Sequence, residues 1–215
     1  MPSETILELV KRLIPKNIYW LLKHNMLRNF IISKKWESAG KPVPAPHVIK
    51  QFVIKEYCSK YNIPILVETG TFLGDMVYAQ KNNFEKVISI ELDQKLFESA
   101  VKLFSKCSNV QILHGDSGEV LKKVVPSLKK RSIFWLDGHY SGGVTAKGEK
   151  DCPVYKELTA ILKSDLSHII LIDDARCFVG KGDYPTIKQL ERFIKSKNKE
   201  YFIEVKDDII RFTIN

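Results

Sequence analysis

The chain has 215 residues, of which 44% are hydrophobic, and it carries a formal net charge of +9 at pH 7. That size and apolar content predict one domain with a sizeable core, and the four cysteines lack the C-x-x-C spacing of a redox or zinc motif. No apolar run approaches about 20 residues and no signal-peptide pattern is visible, which argues against a membrane-spanning or secreted protein and favours the cytoplasm.

Residues 1–41 form a basic arm, with eight Lys or Arg against three acidic residues. Apolar residues recur at helical spacing over residues 6–14 and again over residues 18–32, which predicts helices. Three interpretations are open: a lid or dimer arm, an interfacial helix at the inner face of an anionic membrane, or an extra helical layer on the core. We expect no nucleic-acid binding, because the basic residues form no stripe with interleaved aromatic residues.

A proline-rich connector over residues 40–46 follows the arm. We place the start of the main domain within it, so that this domain covers residues 42–215. Residues 47–61 are predicted to form a helix that covers the sheet before its first strand.

The most informative segment is residues 67–74, which read VETGTFLG. An apolar run over residues 63–67 leads into it, Gly70 and Gly74 lie four apart within it, and a helical pattern begins at Asp75. Strand, glycine-rich turn and helix in this order form the first βα unit of a nucleotide-binding type of α/β fold.

The residues of this turn also indicate which nucleotide it suits. Phe72 stands where the dinucleotide fingerprint G-x-G-x-x-G needs its second glycine, which argues against a nicotinamide-dependent dehydrogenase. Glu68 precedes the turn, and its carboxylate would repel a pyrophosphate but suits the cationic methionine part of S-adenosylmethionine. The turn therefore predicts S-adenosylmethionine as the ligand.

Four further apolar runs predict strands, and each is followed by an acidic residue. In open α/β sheets ligands bind at the carboxyl ends of the strands, so the repetition indicates one shared site. The alternative is that the acids are N-caps of the following helices, which explains one or two of them but not the set. The runs and their acids are residues 87–90 with Glu91, residues 110–114 with Asp116, residues 133–136 with Asp137, and residues 168–172 with Asp173 and Asp174.

The last part of the chain is predicted to form an antiparallel hairpin. A helix opens at residues 184–186 and extends to Lys195, after which residues 201–205 and 209–214 alternate as strands. Residues 206–208 between them form a tight turn.

From about residue 46 to residue 215 the chain resembles a class I S-adenosylmethionine-dependent methyltransferase. The Glu-Thr-Gly-Thr start at residue 68 and the trio of Asp137, Asp173 and Asp174 are similar to metal-dependent O-methyltransferases, notably the macrocin O-methyltransferase-like enzymes that methylate sugar hydroxyls. The resemblance implies a Rossmann-like α/β fold with a seven-stranded, mostly parallel sheet and a C-terminal antiparallel hairpin, to which the N-terminal helical arm is added.

The motif spacing predicts where each part of S-adenosylmethionine binds. The glycine turn would lie beneath the methionine part, and the acids at the strand ends would accept hydrogen bonds from the amino group, the ribose and the adenine. The predicted residues are Gly70, Thr71 and Gly74 in the turn, Glu68 at the amino group, Glu91 at the ribose, Asp116 with Ser117 at the adenine, and Asp137 beside the cofactor.

Asp137, Asp173 and Asp174 supply three hard oxygen ligands on neighbouring strands, which is the chemistry that Mg²⁺ prefers. In the family resembled, acids in matching positions hold the metal. A divalent ion would help a hydroxyl nucleophile, which scarcely ionises at neutral pH. The alternative is that Asp173 or Asp174 caps the next loop or pairs with Arg176.

His139 and Asp137 are the candidate catalytic residues, and His139, which follows Asp137 by two residues, is the candidate general base. An imidazole titrates close to neutral pH, which suits that task. The matching position in the related sugar methyltransferases is often an acid, so His139 is a departure from their pattern. It is alternatively a neighbour of the metal, or a residue that orients Asp137. The glycine-containing segment 141–151 is predicted to order over the substrate.

The sequence therefore predicts an S-adenosylmethionine-dependent O-methyltransferase, with a Mg²⁺-assisted transfer to a hydroxyl on a sugar, a glycan or a small metabolite. A homodimer is compatible with the basic arm. Two alternatives are a metal-independent methyltransferase that acts on an amine or carboxylate, and a non-catalytic binding module with the same fold.

Overall fold

A computed structural model describes residues 25–138 and 152–214, and its centre is one seven-stranded sheet. Its strands are β1 (Ile65–Thr69), β2 (Lys86–Glu91), β3 (Val110–His114), β4 (Ser132–Leu136), β5 (Ile169–Ile172), β6 (Phe202–Lys206) and β7 (Ile209–Thr213). Their order is β3-β2-β1-β4-β5-β7-β6, with the first five parallel and β7 antiparallel to both of its neighbours. The predicted mostly parallel sheet and its antiparallel hairpin are confirmed.

Helices cover both faces of this sheet, which explains why the central strands read as continuous apolar runs. The helices are α1 (Met26–Ser38), α2 (His47–Tyr61), α3 (Asp75–Gln80), α4 (Gln94–Phe104), α5 (Ser117–Ser127), α6 (Val154–Ile161) and α7 (Ile187–Lys197). One core contains side chains of α2, α3 and α4, and a second core contains side chains of α5, α6 and α7. Every residue of β1, β4 and β5 is buried, as expected for parallel strands covered on both faces.

Two predicted strand boundaries differ slightly from the structure. β1 begins and ends two residues later than the predicted run over residues 63–67, because its pairing with β2 starts at Ile65 opposite Lys86. β5 begins one residue later than predicted, because its pairing with β4 starts at Ile169 opposite Ile133. The carboxyl ends of the strands therefore lie beside the acids, as the sequence predicts.

The C-terminal elements follow the prediction closely. α7 begins after a capping box, in which the side chains of Thr186 and Gln189 each bond the other's backbone amide, and it extends two residues beyond the predicted end at Lys195. Strands β6 and β7 lie within one residue of their predicted bounds. Asp207 and Asp208 join them with φ values of 56° and 63°, as the two central residues of a type I′ hairpin turn require.

The described part of the basic arm is helix α1, which packs on α2. The Asn25 side chain caps α1, so the helix begins at Met26, inside the range predicted from the apolar pattern over residues 18–32, and it ends six residues beyond that range. Trp36 is buried in a small cluster with Val48 and Ile49 of α2, and its indole nitrogen donates to the Pro42 carbonyl at 2.8 Å. This contact anchors the connector and the last turn of α1 to the main domain.

Several predictions fall on residues that the structure does not describe. Residues 1–24 contain the first predicted arm helix, and residues 139–151 contain His139 and the glycine-containing segment. Within the described ranges, none of the helices combines the length and the hydrophobicity that crossing a membrane would require.

Candidate functional site

An acidic triad lies beyond the carboxyl ends of β4 and β5. Asp137 follows β4 directly, and Asp173 and Asp174 follow β5. Because Leu136 pairs with Ile172 in this parallel pair, the residues after the two strands lie side by side. One ligand oxygen from each of the three carboxylates lies within 4.8 Å of the others. The structure therefore brings together the three predicted metal ligands.

Lys50 of α2 reaches into this triad, although the sequence reasoning did not single it out. Its ammonium nitrogen contacts Oδ2 of Asp173 and lies 3.3 Å from Oδ1 of Asp174. The Lys50 side chain is only 12% exposed, and the Asp173 side chain is fully buried. A signal was present in the sequence, since Lys50 is the one Lys, Arg, Asp or Glu among residues 47–54 of the predicted covering helix.

The triad carboxylates interact strongly with one another and with Lys50. Burial, followed by the charge of Asp173, raises the pKa of Asp137 well above its ordinary value. Burial also raises the pKa of Asp173, against the opposing effect of the Lys50 charge. Burial opposes the charge of Lys50 itself, but the neighbouring carboxylates outweigh that effect and raise the pKa of Lys50.

Asp174 also makes the ion pair that was the alternative to metal binding. The Arg176 guanidinium nitrogen Nη1 lies 2.7 Å from Oδ1 of Asp174 and also contacts Asp208 in the β6–β7 turn. Asp174 has a φ of 54°, which turns the backbone sharply after β5. The pairing with Arg176 and the place in the triad occur together, so neither excludes the other.

The glycine turn after β1 passes directly beside the triad. Gly70 has a φ of 84°, and a Cβ atom at this position would lie 2.5 Å from the Asp137 carbonyl oxygen. Only glycine permits this approach. Gly74 has a φ of 82° before α3, where a Cβ atom would lie 2.8 Å from the Phe104 ring. Both predicted turn glycines are therefore required by the backbone path.

Glu68 lies under this turn in a buried chain of hydroxyl groups. Ser89 donates a hydrogen bond to Oε2 of Glu68, and the Ser89 hydroxyl lies 2.6 Å from the Thr71 hydroxyl. Burial, opposed by the Ser89 hydrogen bond, raises the pKa of Glu68 to about 8. When Glu68 is ionised the single Ser89 proton is committed to it, so Thr71 donates to Ser89.

The acid at the end of β2 is held by two backbone amides. The Phe72 amide donates to Oε2 of Glu91 at 2.7 Å, and the Asp93 amide donates to Oε1 at 2.9 Å. The Phe72 contact joins Glu91 to the glycine turn. Each carboxylate oxygen keeps a further lone pair that can accept a bond from a ligand hydroxyl.

Asp116, in contrast, is a helix cap. Its Oδ1 accepts a hydrogen bond from the Glu119 amide at 3.1 Å at the start of α5, and Ser117 is the first residue of that helix. The capping alternative considered for the strand-end acids thus holds for Asp116. An adenine contact would have to use the remaining lone pairs of this carboxylate or the backbone beside it.

A buried hydroxyl at the end of β1 has no hydrogen-bond partner within the described ranges. It belongs to Thr69, which directly precedes the glycine turn. Gly138, after β4, comes so close that a Cβ atom there would lie 3.1 Å from this hydroxyl oxygen. Buried polar atoms are usually paired, and this hydroxyl beside the glycine turn is an exception among the described residues.

No protein-family model matches the chain, and no curated protein matches its sequence. Solved structures do match. An O-methyltransferase from Bacillus cereus in complex with S-adenosylhomocysteine is 12% identical with a TM-score of 0.56, over 91% of this chain and 96% of that one. The O-methyltransferase TomG from Streptomyces achromogenes, in complex with S-adenosylmethionine, is 15% identical with a TM-score of 0.55, over 87% and 89%.

A third solved structure, a methyltransferase from Podospora anserina with bound S-adenosylhomocysteine, is 14% identical with a TM-score of 0.54 and covers all of this chain and 99% of its own. At such low identities the likeness concerns the fold. The chain therefore has the Rossmann-like fold of the class I methyltransferases.

Proposed function

We propose that the chain is an S-adenosylmethionine-dependent O-methyltransferase that methylates a hydroxyl on a sugar, a glycan or another small metabolite with the help of a divalent ion. The observation that carries the proposal is the contact between the glycine turn and the acidic triad. Gly70 of the turn packs against the backbone of Asp137, the first triad residue. Methyl transfer needs cofactor and acceptor in contact, and this packing supports a cofactor site at the turn next to an acceptor site at the triad.

The residues around the turn suit S-adenosylmethionine, which would supply a methyl group already activated on a sulfonium. Among the described residues, the buried hydroxyl of Thr69 beside the turn has no hydrogen-bond partner. Glu91 offers carboxylate oxygens to ribose hydroxyls. Glu68 is the proposed partner of the cationic amino group, whose positive charge would favour the ionised form of this buried acid. The complexes of the neighbouring folds with this cofactor or its product support the same assignment.

The donor set of the triad suits a hard divalent ion. Asp137, Asp173 and Asp174 would hold it through carboxylate oxygens that already lie close together. Bound there, the ion would supply Lewis-acid stabilisation of the negative charge that develops on the acceptor oxygen. We propose His139 as the base that accepts the acceptor's proton, with Asp137 at the contact between the acceptor and cofactor sites.

A metal-independent transfer to an amine or carboxylate is the second candidate function. One observation favours it: the Lys50 ammonium already contacts two of the three carboxylates. The two functions can be distinguished by measuring methyl transfer from radiolabelled S-adenosylmethionine to a panel of sugars, catechols, amines and carboxylates. Each acceptor is tested with and without added Mg²⁺. Cofactor binding without transfer to any acceptor would instead favour a non-catalytic module.

The cofactor assignment predicts a loss of affinity when the β2 carboxylate is removed. Glu91→Ala deletes an acceptor of charge-assisted hydrogen bonds worth roughly 1.5–3 kcal/mol, so affinity for S-adenosylhomocysteine should fall by about one to two decades. Titration calorimetry measures this. Glu98→Ala, which removes an exposed carboxylate of α4, serves as the charge-matched control. Unchanged affinity in Glu91→Ala would contradict the assignment.

We further propose that the arm covers the acceptor side of the site or contacts a second subunit. Deletion of residues 1–24 should then spare S-adenosylhomocysteine binding but lower turnover, or convert a dimer to a monomer. Light scattering and steady-state kinetics measure these outcomes. A deletion that extends through Trp36 is the contrast, because loss of this buried side chain should also lower the melting temperature.

The opposing outcome for the arm is a membrane role. This role predicts that the full chain floats with anionic vesicles in a salt-sensitive way. If deletion of residues 1–24 abolishes flotation but leaves turnover of a soluble acceptor intact, the arm is a peripheral membrane anchor and the lid proposal is wrong.

A further inference from the structure

Lys50 occupies an unusual place for a surface-helix lysine. Its ammonium group contacts Asp173 and lies 3.3 Å from Asp174, two of the three residues proposed to hold a divalent ion. Helix α2 carries it there because its neighbours Ile49, Val53 and Ile54 are buried. The position of the ammonium is thus set by the packing of α2 and not by a loop.

Electrostatics explains why a cation is needed at this point. Three carboxylates with ligand oxygens within 4.8 Å of one another would repel strongly if left without positive charge. Arg176 forms an ion pair with Asp174 but not with the buried Asp173, so its positive charge does not directly offset the charge of Asp173. Lys50 supplies positive charge to Asp173, which has no exposed side-chain surface.

Because of these contacts, Lys50 would compete with a divalent ion for the triad carboxylates. Both cations would bind the carboxylates of Asp173 and Asp174, and two positive charges held so close together repel each other. The lysine side chain is a flexible four-carbon stem with a compact charge, so it can withdraw without movement of α2.

We propose that Lys50 is an internal counter-cation of the acidic triad, which holds the carboxylates together in the metal-free protein and must withdraw when a divalent ion binds. This inference rests on the metal-assisted function proposed above and adds a residue that controls metal affinity. Lys50 acts through the triad and is therefore a positioning residue.

The test compares Mn²⁺ binding by the full chain in three forms: the natural chain, Lys50→Met and Lys55→Met. Lys55 is an exposed lysine of the same helix, so its replacement changes the net charge equally without touching the triad. Loss of the free-Mn²⁺ signal in electron paramagnetic resonance gives the affinity without any need for turnover. We expect Lys50→Met to bind Mn²⁺ at least about tenfold more tightly than both other forms.

A second measurement is the melting temperature of the metal-free protein. In EDTA, Lys50→Met should melt at a lower temperature than Lys55→Met, because its triad has lost a counter-charge, and saturating Mn²⁺ should remove the difference. If Lys50→Met does not fold, Lys50→Gln is the replacement, since it keeps a hydrogen-bond donor to Asp173 without the charge. Its Mn²⁺ affinity should rise in the same direction.

The failures of the two proposals are distinguishable. Equal or weaker Mn²⁺ binding by Lys50→Met, with clear binding by the natural chain, overturns the counter-cation proposal and leaves the metal site standing. If none of the three forms binds Mn²⁺, both the counter-cation proposal for Lys50 and the proposal of metal-assisted methyl transfer are wrong. Methyl transfer in EDTA would then identify the metal-independent function.

Discussion

Removal of divalent metal is expected to abolish methyl transfer while cofactor binding survives. A bound ion that stabilises developing charge on the acceptor oxygen by about 3–4 kcal/mol corresponds to a loss of roughly 10²–10³-fold in rate. Mg²⁺ or Mn²⁺ should restore the rate after EDTA treatment. Affinity for S-adenosylhomocysteine should change little, because Glu68 and Glu91, which are proposed to bind the cofactor, lie outside the triad.

A pair of variants refines this expectation. Asp173→Asn removes the charge of the most buried triad carboxylate and should raise the Mg²⁺ concentration needed for half-maximal activity. Asp165→Asn, at an exposed carboxylate outside the site, should leave it unchanged. Full activity in EDTA, after metal analysis confirms that the protein is metal-free, would rule out metal assistance.

Replacement of His139 by alanine is expected to lower kcat by roughly 10²–10⁴-fold, the range for loss of a general base. A weakly acidic hydroxyl needs a proton acceptor as the methyl group arrives, and His139 follows the triad residue Asp137 by two positions. Steady-state kinetics on the accepted substrate, with S-adenosylhomocysteine affinity as the binding control, measures the effect.

The variant His139→Asp tests whether a carboxylate can replace His139 as the general base. If the resemblance of the sequence to sugar methyltransferases, which often have an acid at the matching position, reflects a shared mechanism, His139→Asp should recover part of the rate lost in His139→Ala. An effect confined to KM in both variants would make His139 a substrate-positioning residue. Loss of Mn²⁺ binding in both variants would make it a neighbour of the metal instead.

Much of the fold could be predicted from the sequence because parallel strands covered on both faces must be apolar throughout. The runs that end at Glu68, Asp137 and Asp173 follow this rule, and their order along the chain, separated by helices, leads to a doubly covered sheet. The requirement for glycine at Gly70 was also visible, since a tight turn after a first strand is a local feature. The triad followed because neighbouring parallel strands end at one edge.

Contacts between distant segments could not be predicted in this way. Lys50 meets Asp173 across 123 positions of sequence, and their proximity depends on how α2 packs against the sheet. In the sequence Asp116 follows an apolar run, as the other strand-end acids do. In the structure its side chain instead accepts the Glu119 amide and caps α5. Whether a carboxylate caps a helix or faces a cleft is decided by the turn geometry after the strand, which several residue types can satisfy.

The sequence by itself therefore determined the α/β fold, the edge of the sheet that carries the candidate site, and the acids that meet there, because burial and strand order are encoded in local patterns. Only the tertiary structure decided how the charge of those acids is balanced. Lys50 faces Asp173 and Asp174, and Arg176 joins Asp174 to Asp208 of the hairpin turn. Electrostatic energy depends on distances between atoms, and these distances arise only when α2 and the hairpin pack against the sheet.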